Sequence, residues 1–195
     1  NLFYLLLMAA FVSIILGMGM PTLGVYLLLA TLVAPSLVEV GVPEIAAHLF
    51  ALYFGMLSMI TPPVAIAAFA AATVANSDPM KTGFAAVTFG WSAYLVPFLF
   101  VLAPELLFEG NLFLIFTTFV TGIFGIWFVC SGFTGYLMHG IQFFPRIILI
   151  LAGLALLLPS SAFEGAYWTD LIGFAVASFI VFYEYIQSRK TPTSW

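Results

Sequence analysis

The chain has 195 residues, of which 64% are hydrophobic and 6% are charged, and its net charge is −4. A water-soluble domain cannot bury so large a share of apolar side chains, so the composition indicates an integral protein of the lipid bilayer. The acidic balance argues against nucleic acid as a partner, and no run of basic residues indicates a site for an anionic lipid headgroup. Continuous apolar runs favour helices over barrel strands and predict an all-α membrane protein, a polytopic helical bundle.

Hydropathy predicts a series of apolar segments along the chain. In chain order they cover about 2–16, 23–38, 45–75, 91–108, 111–138, 146–163 and 168–187. The segments before Gly110 are interrupted by Gly and Pro, whereas those after it are rich in Phe and mostly continuous. We therefore expect a functional domain over 1–109 and an appended helical module over 110–195. Because the chain begins at Asn1 without an initiating Met, we expect a fragment without its N-terminal part. The first apolar run has neither a basic n-region nor a small-residue cleavage site, so we do not expect a signal peptide.

The first two segments are short and are joined by the uncharged turn GMGMPT. A 15-residue helix covers about 23 Å, less than the roughly 30 Å of the hydrocarbon core. This pattern predicts a re-entrant hairpin over 2–38 that returns to the side it entered from. A pair of tilted, complete spans with a tight loop is the alternative. In either case the helix that starts at Thr22 presents its N-terminus at the tip, where backbone can meet a ligand.

The third segment, 45–75, contains the motif ITPPVA. Pro62 and Pro63 lack N–H groups and clash with the preceding turn, so the helix must open there. With about 15 residues on each side, we expect the opening near the membrane midplane, where freed carbonyls need protein, water or an ion. Thr22 and Thr61 add hydroxyl oxygens, which hard cations prefer. Paired breaks of this kind are typical of secondary transporters, although simple kinks relieved by Ser and Thr are the alternative.

Several polar residues near the breaks and the helix ends have a structural and a functional interpretation. Ser13 and Ser58 flank the breaks and could be ligands or could satisfy backbone groups. His48 and His139 are expected to be structural residues near the membrane interfaces rather than proton relays.

The acidic residues of the functional domain are expected at helix ends. Asp78 precedes Pro79 and is typical of the N-cap of a helix. Glu105 is expected to be an anchor at the outer end of the span 91–108, where it reaches water. Because this reading leaves no buried carboxylate to carry a proton, it favours Na⁺ over H⁺ as a coupling ion.

The distribution of charge predicts an orientation. The basic residues Lys81, Arg146, Arg189 and Lys190 fall on one face when the spans are counted, and the opposite face carries Glu39, Glu44, Glu105, Glu109, Glu164 and Asp170. Since basic residues near membrane ends favour the cytoplasm, we expect that face and the C-terminus there.

An enzyme is not expected. An intramembrane enzyme needs a nucleophile with a base, or paired aspartates, at membrane depth. No Asp or Glu lies within 2–38 or 45–75, and Cys130 is the single cysteine, which also rules out an intrachain disulfide. A structural or anchor subunit without its own ligand site remains the alternative to transport.

The motifs GMGMPT, AAHLF and ITPPVA, in this order and spacing, resemble the C-terminal repeat of the large membrane subunit of tripartite ATP-independent periplasmic (TRAP) transporters. The chain is most similar to the fused permeases that work with TAXI-type receptors. The resemblance covers residues 1 to about 108. Residues 110–195 resemble, by composition, the additional C-terminal helices of those permeases.

This resemblance implies half of an inverted-repeat, elevator-type transporter in the cytoplasmic (inner) membrane of a bacterium or archaeon. It implies import of an organic anion, delivered by a periplasmic TAXI-type receptor, with Na⁺ as coupling ion and no other cofactor. The hairpin tip, with Met18 and Met20, would then bind substrate through Gly17, Gly19, Pro21 and Thr22. The unwound helix, with Val64, would bind Na⁺ mainly through backbone carbonyls at Thr61, Pro62, Pro63 and Ala65. The resemblance implies a second, N-terminal repeat, so we expect this fragment to hold only half of the transport site.

Overall fold

The computed structural model describes residues 2–137, 140–158 and 166–188. Within these ranges the chain forms ten α-helices and one 3-10 helix, without a β-strand, so the prediction of an all-α protein is confirmed. His139, Glu164, Arg189 and Lys190 lie outside the described residues.

The helices belong to two compact units, residues 1–107 and 108–195. The first unit contains α1 (Leu2–Gly17), α2 (Thr22–Leu32), α3 (Ala34–Glu39), α4 (Glu44–Leu57), α5 (Ile66–Val74), α6 (Pro79–Phe89), α7 (Trp91–Leu102) and the 3-10 helix (Pro104–Leu107). The second contains α8 (Leu112–Thr134), α9 (Phe143–Leu157) and α10 (Ala166–Ser188). The expected functional boundary near Gly110 stays a prediction.

Helix α4 is the centre of the first unit. Helices α1, α2, α3 and α7 all pack against it, and its alanines Ala46, Ala47 and Ala51 are fully buried. On the side of α7, the ring of Phe98 meets Phe50 and Phe54 edge-on, at centroid distances of 5.4 and 5.6 Å. Small residues let the neighbouring helices approach closely, and the aromatic cluster fixes α7 against α4.

The second arm of the hairpin covers nearly the range that the sequence predicts, 23–38, and consists of two helices. Helices α2 and α3 are separated by a single residue, Val33, because Pro35 follows at the start of α3 and cannot donate a helical hydrogen bond. Together they form a stretch, Thr22–Glu39, of 18 residues that is long and apolar enough to cross a membrane. Helix α1 is shorter, with 16 residues. A re-entrant course for this hairpin therefore stays a prediction.

The structure breaks the third segment between α4, which ends at Leu57, and α5, which begins at Ile66. Helix α4 has 14 residues and α5 has 9, so the expectation of about 15 residues on each side is confirmed before the break and is wrong after it. Helix α5 ends early because Asn76 adopts a positive φ of 50° and Asp78 starts a new helix.

Helix α6 adds an element that hydropathy alone did not predict. Asp78 is its N-cap, as expected, since its Oδ1 accepts a hydrogen bond from the Lys81 N–H at 2.8 Å and Pro79 follows as the first helical residue. Helices α6 and α7 are bent by 43° across Gly90.

In the second unit, α8 and α9 cross at glycines. A Cβ at Gly153 would lie 2.7 Å from the carbonyl oxygen of Gly125, so neither position has room for a side chain. Arg146 closes the end of α8 by donating from Nε to the carbonyl of Gly132 and from Nη2 to that of Phe133, at 3.0 and 2.9 Å. A cation at a helix C-terminus is favoured by the helix dipole.

Three helical stretches among the described residues are long and apolar enough to cross a membrane: Thr22–Glu39, Leu112–Thr134 and Trp168–Ile186. The bent pair α6 and α7 gives a fourth if it is counted as one span. The protein is therefore a multi-pass membrane protein.

Candidate functional site at the hairpin tip and the broken helix

The hairpin tip is the turn between α1 and α2. Gly19, in the middle of the turn, has φ +81°, which a side chain with a Cβ rarely adopts. A Cβ at Gly19 would meet no atom within 4 Å. Glycine is needed here for the path of the backbone and not for space.

Gly17 allows the hairpin tip to pack closely against the end of α4. It is buried, and a Cβ there would lie 2.7 Å from the Gly55 carbonyl oxygen and 2.7 Å from the Ser58 Oγ. Ser58 donates its own hydrogen to the Gly55 carbonyl at 2.6 Å, so it satisfies backbone, one of its two expected roles. The structure thus brings the first residue of the hairpin tip into contact with the end of α4, immediately before the second interruption.

The N-terminus of α2 lies at the tip with uncapped donors. Pro21 is its N-cap and makes no side-chain capping bond. The first backbone hydrogen bond runs from Val25 N–H to the Pro21 carbonyl, and in the described chain the N–H groups of Thr22, Leu23 and Gly24 reach no backbone acceptor. Such donors, together with the positive end of the helix dipole, favour a negatively charged group.

The break after α4 holds carbonyl oxygens without backbone partners. Because Pro62 and Pro63 have no N–H, the helical ladder stops, and the Met59 carbonyl instead accepts from Ala67 N–H at 3.0 Å. Of the described residues, none donates a backbone hydrogen bond to the carbonyls of Ile60, Pro62, Pro63 and Val64.

Ala65 ends the break. Its φ of +34° turns the chain into α5, and it is fully buried. Its N–H donates to the Thr61 carbonyl and its carbonyl accepts from Phe69 N–H, at 3.2 and 2.9 Å. The carbonyls of Thr61 and Ala65 are therefore already paired.

The Thr61 hydroxyl connects the break to two other elements. It donates to the Leu57 carbonyl at 2.6 Å, and its Oγ1 lies 2.6 Å from the hydroxyl oxygen of Tyr94 on α7. Sequence reasoning missed Tyr94, because a single tyrosine in an apolar span carries no local signal of its partner.

Glycines of α6 and of the bend cover the break. A Cβ at Gly83 would lie 3.0 Å from the Pro62 Cγ, and one at Gly90 would lie 3.0 Å from the Ile60 Cδ1. Such Cβ contacts would be tighter than ordinary side-chain packing. The lack of a side chain at Gly83 and Gly90 therefore lets the backbone of both residues lie close to the opened segment.

An open groove of about 430 Å³ runs from the hairpin tip to the break. Thr22 of α2 stands at one part of its wall and Ile60 of the break at another. Apart from the hydroxyls of Thr22 and Tyr53 the lining side chains are apolar, and its residues are Thr22, Leu52, Tyr53, Met56, Leu57, Ile60 and Ala93.

Two polar residues of the first unit are buried without a partner for one oxygen. Ser13 is fully buried on α1, and its Oγ makes no hydrogen bond. Glu105 is 6% exposed in the 3-10 helix, and its Oε2 is likewise unpaired. The expectation that Glu105 reaches water at a helix end is wrong, because the 3-10 helix turns the residue back onto α4. The first unit therefore does contain a buried carboxylate.

His48 is half-buried on α4, and its Nδ1 lies 3.2 Å from the Tyr26 hydroxyl oxygen. It links α2 to α4. No group of three or more His, Cys, Asp or Glu side chains that could hold a metal ion occurs in the described ranges.

One protein-family model matches residues 1–115, and its description is "Tripartite ATP-independent periplasmic transporter, DctM component". No curated protein and no solved structure matches the chain. The family match covers more than half of the chain and contains both the hairpin tip and the break. DctM is a family of transporters and not of enzymes, and membership implies a periplasmic receptor as partner and a lipid environment. The chain therefore belongs to the DctM family, the large membrane component of TRAP transporters.

Proposed function

We propose that this chain is part of a permease that imports organic acid anions, driven by a Na⁺ gradient and supplied by a soluble periplasmic receptor of the TAXI type. The observation that carries the proposal is the contact of Gly17 with Ser58, which joins the hairpin tip to the broken helix inside one unit. Because the tip lies against the residue from which the break starts, binding at one can alter the geometry of the other.

The hairpin tip is the anion side of the proposed site. The unpaired N–H groups at the start of α2 and its dipole favour a carboxylate, and the Thr22 hydroxyl lies next to them. Gly17, Gly19 and Pro21 hold the turn in the shape that exposes these donors. Because Gly19 has no side chain, a ligand can approach the backbone there.

The break is the cation side. The carbonyls of Ile60, Pro62, Pro63 and Val64 have no backbone partner, and carbonyl oxygens accept but cannot donate. The Thr61 hydroxyl has given its one hydrogen to the Leu57 carbonyl, so it too offers only an acceptor. A cluster of neutral acceptors suits a hard cation and repels an anion.

A monovalent cation fits this chemistry better than a divalent one. Sites for Ca²⁺ and Mg²⁺ use carboxylates to balance the ionic charge, and the described residues of the break carry none. The sequence favoured Na⁺ over H⁺ because no buried carboxylate was expected, but Glu105 is buried. The preference for Na⁺ therefore rests on the neutral acceptors alone.

For location, we propose the cytoplasmic (inner) membrane of a bacterium or archaeon, with the C-terminus in the cytoplasm. The support is the positive-inside rule applied to Lys81 at the start of α6 and Arg146 in α9.

Uptake into proteoliposomes tests the proposal. The full-length permease and its receptor are reconstituted, and uptake of a panel of radiolabelled mono- and dicarboxylic acids is measured with an inward gradient of Na⁺, K⁺ or H⁺. We expect at least one acid to accumulate with Na⁺ alone. Accumulation with H⁺ alone would contradict Na⁺ coupling. No accumulation of any acid under any gradient would favour the anchor-subunit alternative.

A further inference from the structure

Two hydrogen bonds around Thr61 fix the direction in which its neighbours donate. The Leu57 carbonyl can only accept, so at 2.6 Å the Thr61 hydroxyl must give it its single hydrogen. The Tyr94 hydroxyl, 2.6 Å from the same Thr61 oxygen, must then be the donor of the second bond. The order of donation is therefore Tyr94 to Thr61 to Leu57.

This order determines what the two hydroxyls can still bind. Each has used its hydrogen, and each oxygen keeps lone pairs that can face a cation. Removal of the Tyr94 hydroxyl would leave the Thr61 oxygen bonded to its own helix end but no longer held from α7. The position of Thr61 Oγ1, and with it the direction of its free lone pair, would then be held by one hydrogen bond instead of two.

Tyr94 lies on a part of α7 that is held firmly enough to fix the position of the Thr61 oxygen. One helical turn further along α7, Phe98 is locked between Phe50 and Phe54 of α4. At the preceding bend, Gly90 lies against Ile60 of the break. The start of α7 is thus anchored on both sides of Tyr94.

We propose that Tyr94 is a positioning residue of the cation site, which orients the Thr61 hydroxyl oxygen toward the ion. The inference rests on the proposed function, because it presupposes a cation at the break. It adds α7 to a site otherwise built from the end of α4 and the following turn.

Binding of Na⁺ alone tests this role without knowledge of the substrate. Radiolabelled Na⁺ is bound to the purified full-length protein and displaced by unlabelled Na⁺. Tyr94→Phe removes one oxygen and keeps the ring, and we expect it to weaken Na⁺ binding by about twofold to tenfold, the range of one hydrogen bond. Tyr4→Phe is the matched control, because Tyr4 is 68% exposed on α1, and it should bind as the unaltered protein does.

Variants of Thr61 separate positioning from a general loss of structure. Thr61→Ser keeps the oxygen and should bind Na⁺ nearly normally. Thr61→Val removes the oxygen and should bind Na⁺ more weakly. Because Tyr94 acts through Thr61, the double variant Tyr94→Phe/Thr61→Val should bind no more weakly than Thr61→Val alone. Normal binding by Tyr94→Phe, or losses that add in the double variant, would overturn the proposal.

A second measurement does not depend on Na⁺ binding. Because the Tyr94–Thr61 bond also ties the broken segment to α7, its loss should leave that segment less firmly held. Val64→Cys, in a Cys130→Ser background, reports this through its rate of reaction with a thiol reagent. We expect faster reaction when Tyr94 is replaced by Phe. If the unaltered protein binds no Na⁺, the proposed function fails. An unchanged reaction rate in Tyr94→Phe shows instead that this residue does not position the break.

Discussion

The backbone of Gly17 lies against the side chain of Ser58, so close that a Cβ on Gly17 would be 2.7 Å from the Ser58 Oγ. This contact joins the last residue of α1 to the residue that follows α4, immediately before the broken segment. A displacement of the hairpin tip must therefore move the end of α4 or separate from it.

The first prediction concerns this contact. Gly17→Ala should weaken transport strongly and lower stability by about 1–3 kcal/mol, because the new methyl group overlaps the Gly55 carbonyl and the Ser58 hydroxyl. The control is Gly122→Ala in α8, outside the proposed site, where a Cβ meets nothing within 4 Å and helix propensity improves. Thermal unfolding in detergent and uptake in proteoliposomes are measured for both. Equal behaviour of the two variants would mean that the contact is unimportant.

The second prediction concerns the backbone of the tip. Gly19→Val should cut uptake while membrane insertion stays normal, because a β-branched residue cannot easily hold φ +81°. Gly41→Val is a matched control, since Gly41 has φ +95° and equally free surroundings but lies outside the tip. We expect both variants to lose similar stability and only Gly19→Val to lose transport. Loss of transport in both would point to strain as the cause and not to the tip.

The breaks were predictable because their causes are local. Pro62 and Pro63 cannot donate hydrogen bonds, whatever surrounds them, and Gly19 permits a turn that other residues resist. The N-cap at Asp78 is local chemistry as well. These features were therefore readable from short stretches of sequence.

The remaining features depend on how distant segments pack. The bond from Tyr94 to Thr61 requires α7 to lie beside the end of α4, and hydropathy carries no information on such pairing. Glu105 looked like a residue at a helix end, yet the 3-10 helix buries it against α4. Hydropathy did not predict helix α6, because its sequence is more polar than its neighbours, although the N-cap at Asp78 indicated where it begins. The role of the predicted site residues stays a prediction until ligands are measured.

The third prediction separates the buried carboxylate from the cation site. Glu105 follows the end of α7, which extends about 12 Å from Tyr94 to Leu102, so Glu105→Gln should leave the Na⁺ dependence of uptake unchanged. Stability should be equal or higher, because an unpaired buried carboxylate oxygen is costly. Uptake is measured over a range of Na⁺ concentrations at acidic and neutral pH. A changed pH dependence would implicate Glu105 in proton coupling.

The fourth prediction concerns orientation. In a Cys130→Ser background, a cysteine in place of Lys81 should react with a membrane-impermeant thiol reagent only from the cytoplasmic side. A cysteine in place of Glu44 should react only from the outside. Both residues are exposed in the structure, so reactivity reports the side of the membrane. The opposite pattern would reverse the orientation derived from the basic residues.

The fifth prediction addresses the central claim, that the proline break supplies the oxygens that bind Na⁺. Replacing both Pro62 and Pro63 by Ala lets the helix close and withdraws the carbonyls, while apolar volume hardly changes. Stability should not fall, because backbone hydrogen bonds are restored.

The most direct measurement is uptake of a transported organic acid as a function of external Na⁺, in proteoliposomes that contain the full-length permease and its receptor. We predict that the Pro62→Ala/Pro63→Ala variant needs a higher Na⁺ concentration for half-maximal uptake than the unaltered protein. An unchanged Na⁺ dependence, with uptake intact, would contradict the account and would show that the break is a structural kink.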